Sequence, residues 1–390
     1  MSAISTTPSP ALPRGPVLDW SSFSGAQEAD LPAMDQGRAP LMTTSGRAAL
    51  GWALKALQLP PGSIVLVPTY HCPTMIAPVL FAGLRPQFYA LGEDALPRLE
   101  SLEGSAAGGP RAIIVAHFFG LPRSLAGVRR WCDTHGVALI EDCAHSFFGQ
   151  AGERPVGGWG DFATASLTKF FPVPEAGLLV SASRDLTRLP MAGQGWKAQL
   201  KGVVDVLETA THSGRLQGLQ PVLRGLFSLK NRRSGARPAQ HAPGTFSIPA
   251  PADALQGCDM ARAGMAPLAV ARWAYGRLPR ARIAARRLAN FQLLKSALVS
   301  APGARVMFDE LPTDAPYALP LWVDDADRVY QALRSAGMPV FRWDKVWTGT
   351  PALAHDAGAS WSRHVLQLLC HQDLSEAETA LLAGTVRRLL

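Results

Sequence analysis

Short apolar runs alternate with helical patterns over the first half of the chain, and this alternation limits the fold more than any other feature. The runs lie at 64–67, 87–89, 112–116, 137–141, 162–167 and 178–180. Between several of them, apolar residues recur at helical spacing, as they do at Ala49, Leu50, Ala53, Leu54 and Leu57 after Ser45. Strands that alternate with helices form a mainly parallel sheet covered on both faces. We therefore predict an α/β fold with three layers.

The remaining chain suggests further parts, because 390 residues exceed one ordinary core. We expect an extended N-terminal arm over 1–40, rich in Pro, Ser and Ala, and a large α/β domain over 41–250. Within this domain, 195–245 interrupts the alternation with two amphipathic helices and a basic loop, which we interpret as an insertion. An Arg-rich helical segment over 251–298 would then connect to a small α+β C-terminal domain over 299–390.

Composition excludes several classes of protein. Apolar residues make up 47% and charged residues 17%, which is typical of a folded globular chain. The sequence opens without a secretory signal pattern and contains no apolar stretch long enough to span a bilayer, so we expect a cytoplasmic protein. Its five cysteines form no CxxC pair, which argues against a disulfide framework and against a metal site.

Positive charge is concentrated in one part of the chain. The net charge is +8, and nine Lys or Arg residues with no acidic residue lie between Met260 and Phe308. No helix-turn-helix, zinc-finger or RNA-binding pattern accompanies them, so we do not expect nucleic acid as a partner. The arginines at 277, 280, 282, 286 and 287 either guide an anionic substrate or form a solvated basic face.

Chemically useful side chains follow several predicted strands. They are Tyr70 and His71 after the first strand, Asp142 and His145 after the fourth, Ser166 and Lys169 at the end of the fifth and just beyond it, and Gly46 and Arg47 at the start of a helix. Ligands bind outside the carboxyl ends of strands in open parallel sheets, so we expect these groups to converge. Pyridoxal phosphate needs a lysine for its aldehyde, a carboxylate for its ring nitrogen and free N–H groups for its phosphate. The set matches these needs.

Taken singly, most of these residues have simpler explanations. A serine such as Ser45 is commonly a helix cap, and buried histidines are commonly structural. Lys169 is different, because its sequence neighbours Leu167, Phe170 and Phe171 are apolar. Burial among them would lower the pKa of Lys169 and favour the neutral form of its amine.

The order of the motifs resembles a known family. TSGRAAL, VPTYH, VAHFFGLP, VALIEDCAHSFFG, GGWGDFATASLTKFFPVPEAGLLV and LLCHQDLSEAE are similar to segments of the DegT/StrS-type aminotransferases, which are fold-type I pyridoxal phosphate enzymes. The resemblance is dense over 43–181 and weaker after 258. It implies a homodimer that transfers an amino group from an amino-acid donor, glutamate in the usual case, to a keto-sugar that is commonly nucleotide-linked.

The resemblance also implies roles for individual residues. Lys169 would be the Schiff-base lysine, Asp142 would pair with the pyridine nitrogen, and His145 would approach the ring hydroxyl. Ser166 would bind the phosphate together with the backbone of Gly46 and Arg47.

Four departures from the family pattern accompany these roles. Lys169 follows Ser166 by three residues where the family commonly has five, and Arg47 replaces a common threonine. Cys72 occupies the position of the aromatic residue that stacks on the cofactor, so we expect Tyr70 or His71 to stack instead. The segment GCDMARAGM has no clear counterpart of the asparagine that the family lends from a neighbouring subunit.

Two other functions stay open. Ser166 and Lys169 also spell S-x-x-K, the acylation motif of penicillin-binding enzymes, although the accompanying S-D-N and K-T-G elements are missing from the sequence. A catalytically idle binding or scaffold protein of the same fold is the other alternative. Whether the protein is idle or active, we expect the 195–245 insertion to contact a membrane surface or a partner enzyme.

Overall fold

The computed structural model describes residues 11–25, 31–186, 188–234, 260–309, 312 and 314–390. Parts of the predicted N-terminal arm, the basic tail of the insertion beyond 234 and Cys258 lie outside these residues.

A seven-stranded sheet forms the centre of the protein. The first nine strands of the chain are β1 Leu41–Thr43, β2 Ile64–Pro68, β3 Arg85–Tyr89, β4 Ala112–Ala116, β5 Ala138–Asp142, β6 Gln150–Ala151, β7 Arg154–Pro155, β8 Phe162–Ser166 and β9 Gly177–Ser181. The sheet has the order β1-β9-β8-β5-β4-β2-β3, while β6 and β7 pair separately. Strands β3, β2, β4, β5 and β8 are parallel, and β9 is antiparallel to β8. The predicted α/β fold is confirmed.

Burial on both faces explains why the central strands are continuously apolar. All five residues of β4 are buried, so alternation with polar residues would leave polar side chains in the core. The register places Ala116 of β4 opposite Asp142 of β5, and Asp142 opposite Thr164 of β8. The carboxyl ends of β4, β5 and β8 therefore lie side by side at one edge of the sheet.

Helices cover the sheet and continue beyond it. The α-helices are Gly46–Ala56, Ile76–Phe81, Leu99–Ala106, Ala126–His135, Trp196–His212, Gln220–Ser234, Ala269–Arg277, Arg280–Leu298, Ala326–Ser335, Gly358–His364 and Glu376–Leu389. In the parts of the chain that the structure describes, five short 3-10 helices accompany them at Trp20–Phe23, Pro73–Met75, Phe118–Gly120, Leu167–Lys169 and Met260–Arg262. No helix in the described ranges is both long and apolar enough to cross a membrane.

The two amphipathic helices predicted in the insertion are present as Trp196–His212 and Gln220–Ser234. They leave large apolar side chains exposed, among them Trp196, Leu200 and Val222. Contact of this surface with a membrane or a partner enzyme stays a prediction.

A second sheet lies in the C-terminal part of the chain. Its strands are β10 Ala304–Val306, β11 Ala318–Val323, β12 Val340–Phe341 and β13 Val365–Leu369, in the antiparallel order β10-β11-β13-β12. A hydrophobic core separate from that of the large sheet packs between this sheet and its helices. We call this part the small domain; the boundaries predicted from the sequence stay predictions.

The Arg-rich helix Arg280–Leu298 is not a solvated basic face. Arg280 forms an ion pair with Asp35, and Arg282 forms one with Asp373. Arg286 donates a hydrogen bond to the carbonyl oxygen of Leu374 at 3.1 Å. These guanidinium groups join the helix to other segments, so they are not free to guide an anionic substrate.

Candidate active site

A cavity of about 1170 Å³ lies where the carboxyl ends of β4, β5 and β8 meet the start of the helix Gly46–Ala56. Six of the eight residues predicted for the site line this cavity, namely Gly46, Arg47, Asp142, His145, Ser166 and Lys169. The small domain closes its other side with residues that include Tyr317 and Gln367.

Lys169 ends a single 3-10 turn, Leu167–Lys169, that follows β8 directly. Hydrogen bonds from the N–H groups of Phe170 and Phe171 to the carbonyl of Leu167 close this turn at 3.0 and 2.8 Å. The turn explains the short spacing between Ser166 and the lysine. Burial lowers the pKa of Lys169, and the nearby charge of Asp142 opposes the shift.

Arg287 holds the backbone of this turn from the Arg-rich helix. It is fully buried, and its guanidinium donates to the carbonyl oxygen of Lys169 and, at 2.9 Å, to Oε1 of Gln372. Gln372 in turn donates to the carbonyl of Phe170 at 2.8 Å. The lysine turn is therefore tied to the small domain.

Asp142 is the last residue of β5, and its side chain lines the same cavity as Lys169. Its Oδ1 accepts a hydrogen bond from the N–H of Ala144 at 2.9 Å. Burial raises the pKa of Asp142, whereas the hydrogen bond from Ala144 and then the charge of Lys169 lower it. The charges of Asp142 and Lys169 thus shift each other's pKa, and both residues line the same cavity.

His145 stacks on Tyr317, with ring centroids 4.1 Å apart and an angle of 21° between the planes. Burial lowers the pKa of His145 well below its usual value, so the ring is neutral near pH 7. Its Nδ1 accepts a hydrogen bond from the N–H of Phe119 at 3.3 Å, which leaves the proton on Nε2. His145 can therefore donate one hydrogen bond to a ligand.

The turn that opens the helix Gly46–Ala56 forms a cradle for a small anion. Ser45 caps the helix through the N–H of Ala48 at 3.1 Å, while the first-turn N–H groups of Gly46 and Arg47 have no acceptor within the helix. Ser166 and Thr168 add two hydroxyl groups that lie 3.2 Å apart. The Nε atom of Arg47 is buried without a hydrogen-bond partner, as expected of a group that awaits an anion.

Tyr70 and His71 do not line the cavity, and the expectation that one of them stacks on a cofactor is not supported. The Tyr70 ring packs among aromatic residues such as Trp343, and its hydroxyl accepts from Gln367 at 3.3 Å. His71 is buried and does not line the cavity, whereas the next residue, Cys72, does. The turn after β2 directs both ring side chains into the protein instead.

The contacts of His71 predict a pH dependence of stability. Its Nδ1 donates to the carbonyl of Pro68 at 2.9 Å, and its Nε2 accepts from the N–H of Trp347 at 3.0 Å, so the folded protein holds the neutral ring. Burial lowers the pKa of His71 from 6.5 to about 4. Between these values the unfolded chain binds a proton that the folded protein does not. The free energy of unfolding should therefore fall with falling pH, by about 1.4 kcal/mol per pH unit for this residue.

Urea unfolding at about pH 7 and about pH 5 checks this expectation. His71→Gln should remove this residue's share of the loss, and the same substitution at the exposed His212 is the control. Equal losses in all three proteins would contradict the assignment.

Glu141, next to the site, is a structural acid. The carboxylate accepts hydrogen bonds from His117 at 2.8 Å and from the N–H groups of Gly157 at 3.1 Å and Trp159 at 2.6 Å. His117, Glu141 and Cys143 have potential metal-binding atoms within 4.8 Å of one another. Because the carboxylate oxygens already have protein partners, we assign no metal to this cluster.

The central sheet of this α/β fold carries an aspartate at the end of one strand and a lysine just after the end of its neighbour. Residues 28–197 match the sequence model of the DegT/DnrJ/EryC1/StrS aminotransferase family. The resemblance found in the sequence is confirmed.

Curated relatives match over part of their length. The chain is 31% identical over 186 residues to UDP-N-acetyl-3-dehydro-alpha-D-glucosamine 3-aminotransferase of Acidithiobacillus ferrooxidans, a match that covers 45% of this chain and 50% of the relative. It is 30% identical over 143 residues to GDP-perosamine synthase of Vibrio cholerae, covering 36% and 39%. The chain thus spans half or less of the length of these relatives.

Solved structures extend the likeness in fold to most of the chain. The aminotransferase TlmJ from Streptoalloteichus hindustanus has a TM-score of 0.62 at 20% identity, covering 90% of this chain and 85% of that one. DesI, solved in the presence of its TDP-sugar product, has a TM-score of 0.62 at 18% identity, covering 91% and 81%.

Proposed function

We propose that this protein is a pyridoxal-phosphate-dependent aminotransferase that moves an amino group from an amino acid, glutamate in the first instance, to a nucleotide-linked keto-sugar. The observation that carries the proposal is that Lys169 and Asp142 line one cavity from the ends of adjacent strands. The match to the aminotransferase family supports it, and so do the curated relatives, whose names refer to nucleotide-linked sugars.

The residues of the cavity fit this cofactor. Lys169 would hold the aldehyde carbon, and Asp142 would accept a hydrogen bond from the protonated ring nitrogen. His145 would donate its Nε2 proton to the ring hydroxyl, and the turn at Gly46 and Arg47 would bind the phosphate. When bound, pyridoxal phosphate supplies the electron sink that lets the donor lose its α-proton.

Lys169 would also carry the proton during transfer. A general base works best when its pKa lies near the working pH, and burial shifts Lys169 in that direction. Arg287 holds the carbonyl of Lys169 while leaving its side chain free, so the amine can move between the reacting atoms without displacement of the turn. The Nζ atom lies 5.2 Å from the centroid of the Tyr317 ring, which shields this side from water.

The size of the cavity suits a large acceptor. Pockets for ligands of drug size occupy about 300–1,000 Å³. At about 1170 Å³, this cavity has room for the cofactor and part of a nucleotide-linked sugar together. The identity of the sugar and the carbon that receives the amine stay outside the proposal.

The alternative of a serine acyl-enzyme is not favoured by the geometry. The hydroxyl of Ser166 makes its hydrogen bond with Thr168, at 3.2 Å, and no hydrogen bond joins it to Lys169 in the described part of the chain. A lysine that activates a serine must lie within hydrogen-bond reach of it.

The visible spectrum of the purified protein loaded with pyridoxal phosphate tests the proposal. We expect a visible band from covalently held cofactor, its loss when glutamate is added, and its return when 2-oxoglutarate is added. A protein that holds no cofactor, or a band that does not respond to any amino acid, would instead support the idle binding protein.

A further inference from the structure

The described N-terminal segment 11–25 lies against the small domain beside the candidate site. The N–H of Leu12 donates to the carbonyl of Gly337 at 3.0 Å, and Nε2 of His371 makes a hydrogen bond with the carbonyl of Pro13 at 2.9 Å. Further along, the N–H of Val17 donates to Asp373 at 3.2 Å. Arg14 lies between these anchors, so its backbone is held in place.

The guanidinium of Arg14 borders a second, smaller cavity next to the lysine. It lies 4.7 Å from the centroid of the Phe341 ring. The cavity has a volume of about 250 Å³, and Thr168, Lys169, Tyr317 and Phe341 line both it and the larger cavity. The two spaces therefore share a wall at the reactive amine.

Arg334, on the helix Ala326–Ser335, lines the larger cavity near Arg14. Neither guanidinium forms a hydrogen bond or an ion pair with any residue that the structure describes. Nearby arginines of the small domain differ, because Arg342 pairs with Asp327 and Arg328 pairs with Asp325. Each of the two cavities that share the lysine wall is thus bordered by one arginine without an ion pair among the described residues, Arg14 on the smaller and Arg334 on the larger.

Among the described residues, no carboxylate is one of the groups that act on the charge of Arg14. Burial and then the charge of Arg334 lower the pKa of Arg14, and the opposing groups are the hydroxyls of Tyr330 and Tyr317. Like charges close together are unfavourable unless an anion lies between them. A planar guanidinium binds a carboxylate or a phosphate through two parallel hydrogen bonds.

We propose that Arg14 and Arg334 form an anion subsite that binds a carboxylate of the amino-acid donor. The inference rests on the proposed function and adds the residues that recognise the donor. A nucleotide diphosphate is the other source of a suitable anion. The cavity beside Arg14 favours the donor, since its volume of about 250 Å³ lies below the range of about 300–1,000 Å³ typical of pockets for larger ligands, and Arg334 would reach the same anion from the larger cavity.

Calorimetric titration of the cofactor-loaded, full-length protein tests this subsite. The probes are glutarate, a dicarboxylate without an amine that cannot react, and uridine 5′-diphosphate. In Arg14→Gln and in Arg334→Gln, we expect the Kd for glutarate to rise at least ~10-fold, as for the loss of one charge-assisted hydrogen bond. The Kd for the diphosphate should change less than ~2-fold.

Arg305→Gln is the matched control, because Arg305 also lies over a ring, 4.5 Å from the centroid of Trp322, but not on either cavity. Its Kd values should equal those of the wild type. Arg14→Lys keeps the charge without the planar fork, and an intermediate Kd for glutarate would support the proposed geometry.

Several results would overturn the subsite. They are unchanged glutarate binding in both arginine variants, no glutarate binding by the wild type, or weakening confined to the diphosphate. These results are separate from a failure of the proposed function, which shows as a wild-type spectrum that does not respond to any amino acid. A responsive spectrum with unchanged glutarate binding rejects the subsite alone.

Discussion

Replacing Lys169 with alanine is expected to abolish covalent retention of pyridoxal phosphate and to lower the rate of amino-group transfer at least ~10³-fold. The reason is that one amine serves two steps, since it binds the aldehyde and then moves the proton, and a positioned acid or base alone contributes about 10²–10⁴. Reduction with borohydride followed by mass spectrometry checks the first effect, and single-turnover spectra with glutamate check the second.

Lys345→Ala is the matched control for attachment, because Lys345 lines the same cavity from the small domain. Borohydride should still fix the cofactor to that variant. If the Lys169→Ala protein kept a reducible covalent adduct, or if the Lys345→Ala protein lost it, the assignment of the lysine would be wrong.

The ends of the parallel strands are the part of the site that sequence predicts well. Buried strands are continuous apolar runs, and the residue after each run must lie at the carboxyl edge of the sheet. Asp142 and Ser166 could therefore be placed side by side without coordinates. Gly46 and Arg47 could be placed with them, because a helix start is recognisable from its cap.

The direction of a side chain in a turn is much harder to predict. Tyr70 and His71 follow β2 just as Asp142 ends β5, yet both point into the protein and Cys72 faces the cavity. Strand alternation stops at Pro68, and the backbone angles of the turn decide the rest. The amino-acid sequence of this turn does not predict those backbone angles.

Contacts between distant segments were also beyond the sequence pattern. Arg280 and its partner Asp35 are separated by 245 residues, and Arg282 and Asp373 by 91. A basic helix looks solvated when its acidic partners lie elsewhere in the chain. Tyr317, which stacks on His145, was missed for the same reason, because an isolated tyrosine before a strand carries no periodic signal.

Gly177→Ala is expected to reduce the free energy of unfolding by about 3 kcal/mol, at the upper end of the usual range for overpacking. Gly177 opens β9 and lies against the turn before the helix Gly46–Ala56. A Cβ atom there would be 2.2 Å from the backbone carbon and oxygen of Ser45 and 2.6 Å from the nitrogen of Gly46. Backbone atoms cannot rotate away as a side chain can, so strand and turn would have to separate.

The same separation would open the anion cradle, because Gly46 packs closely against Ser166. A Cβ atom on Gly46 would lie only 3.2 Å from the Cβ atom of Ser166. We therefore expect weaker binding of pyridoxal phosphate together with the lower stability, measured by titration of the visible band and by urea unfolding. Gly104→Ala is the matched control, since Gly104 lies in the helix Leu99–Ala106 with no atom within 4 Å of the added carbon. That substitution should stabilise the protein by up to about 1 kcal/mol through helix propensity. Two alanine variants of similar stability would show that the strand and the cradle are not in the close contact on which cofactor binding is proposed to depend.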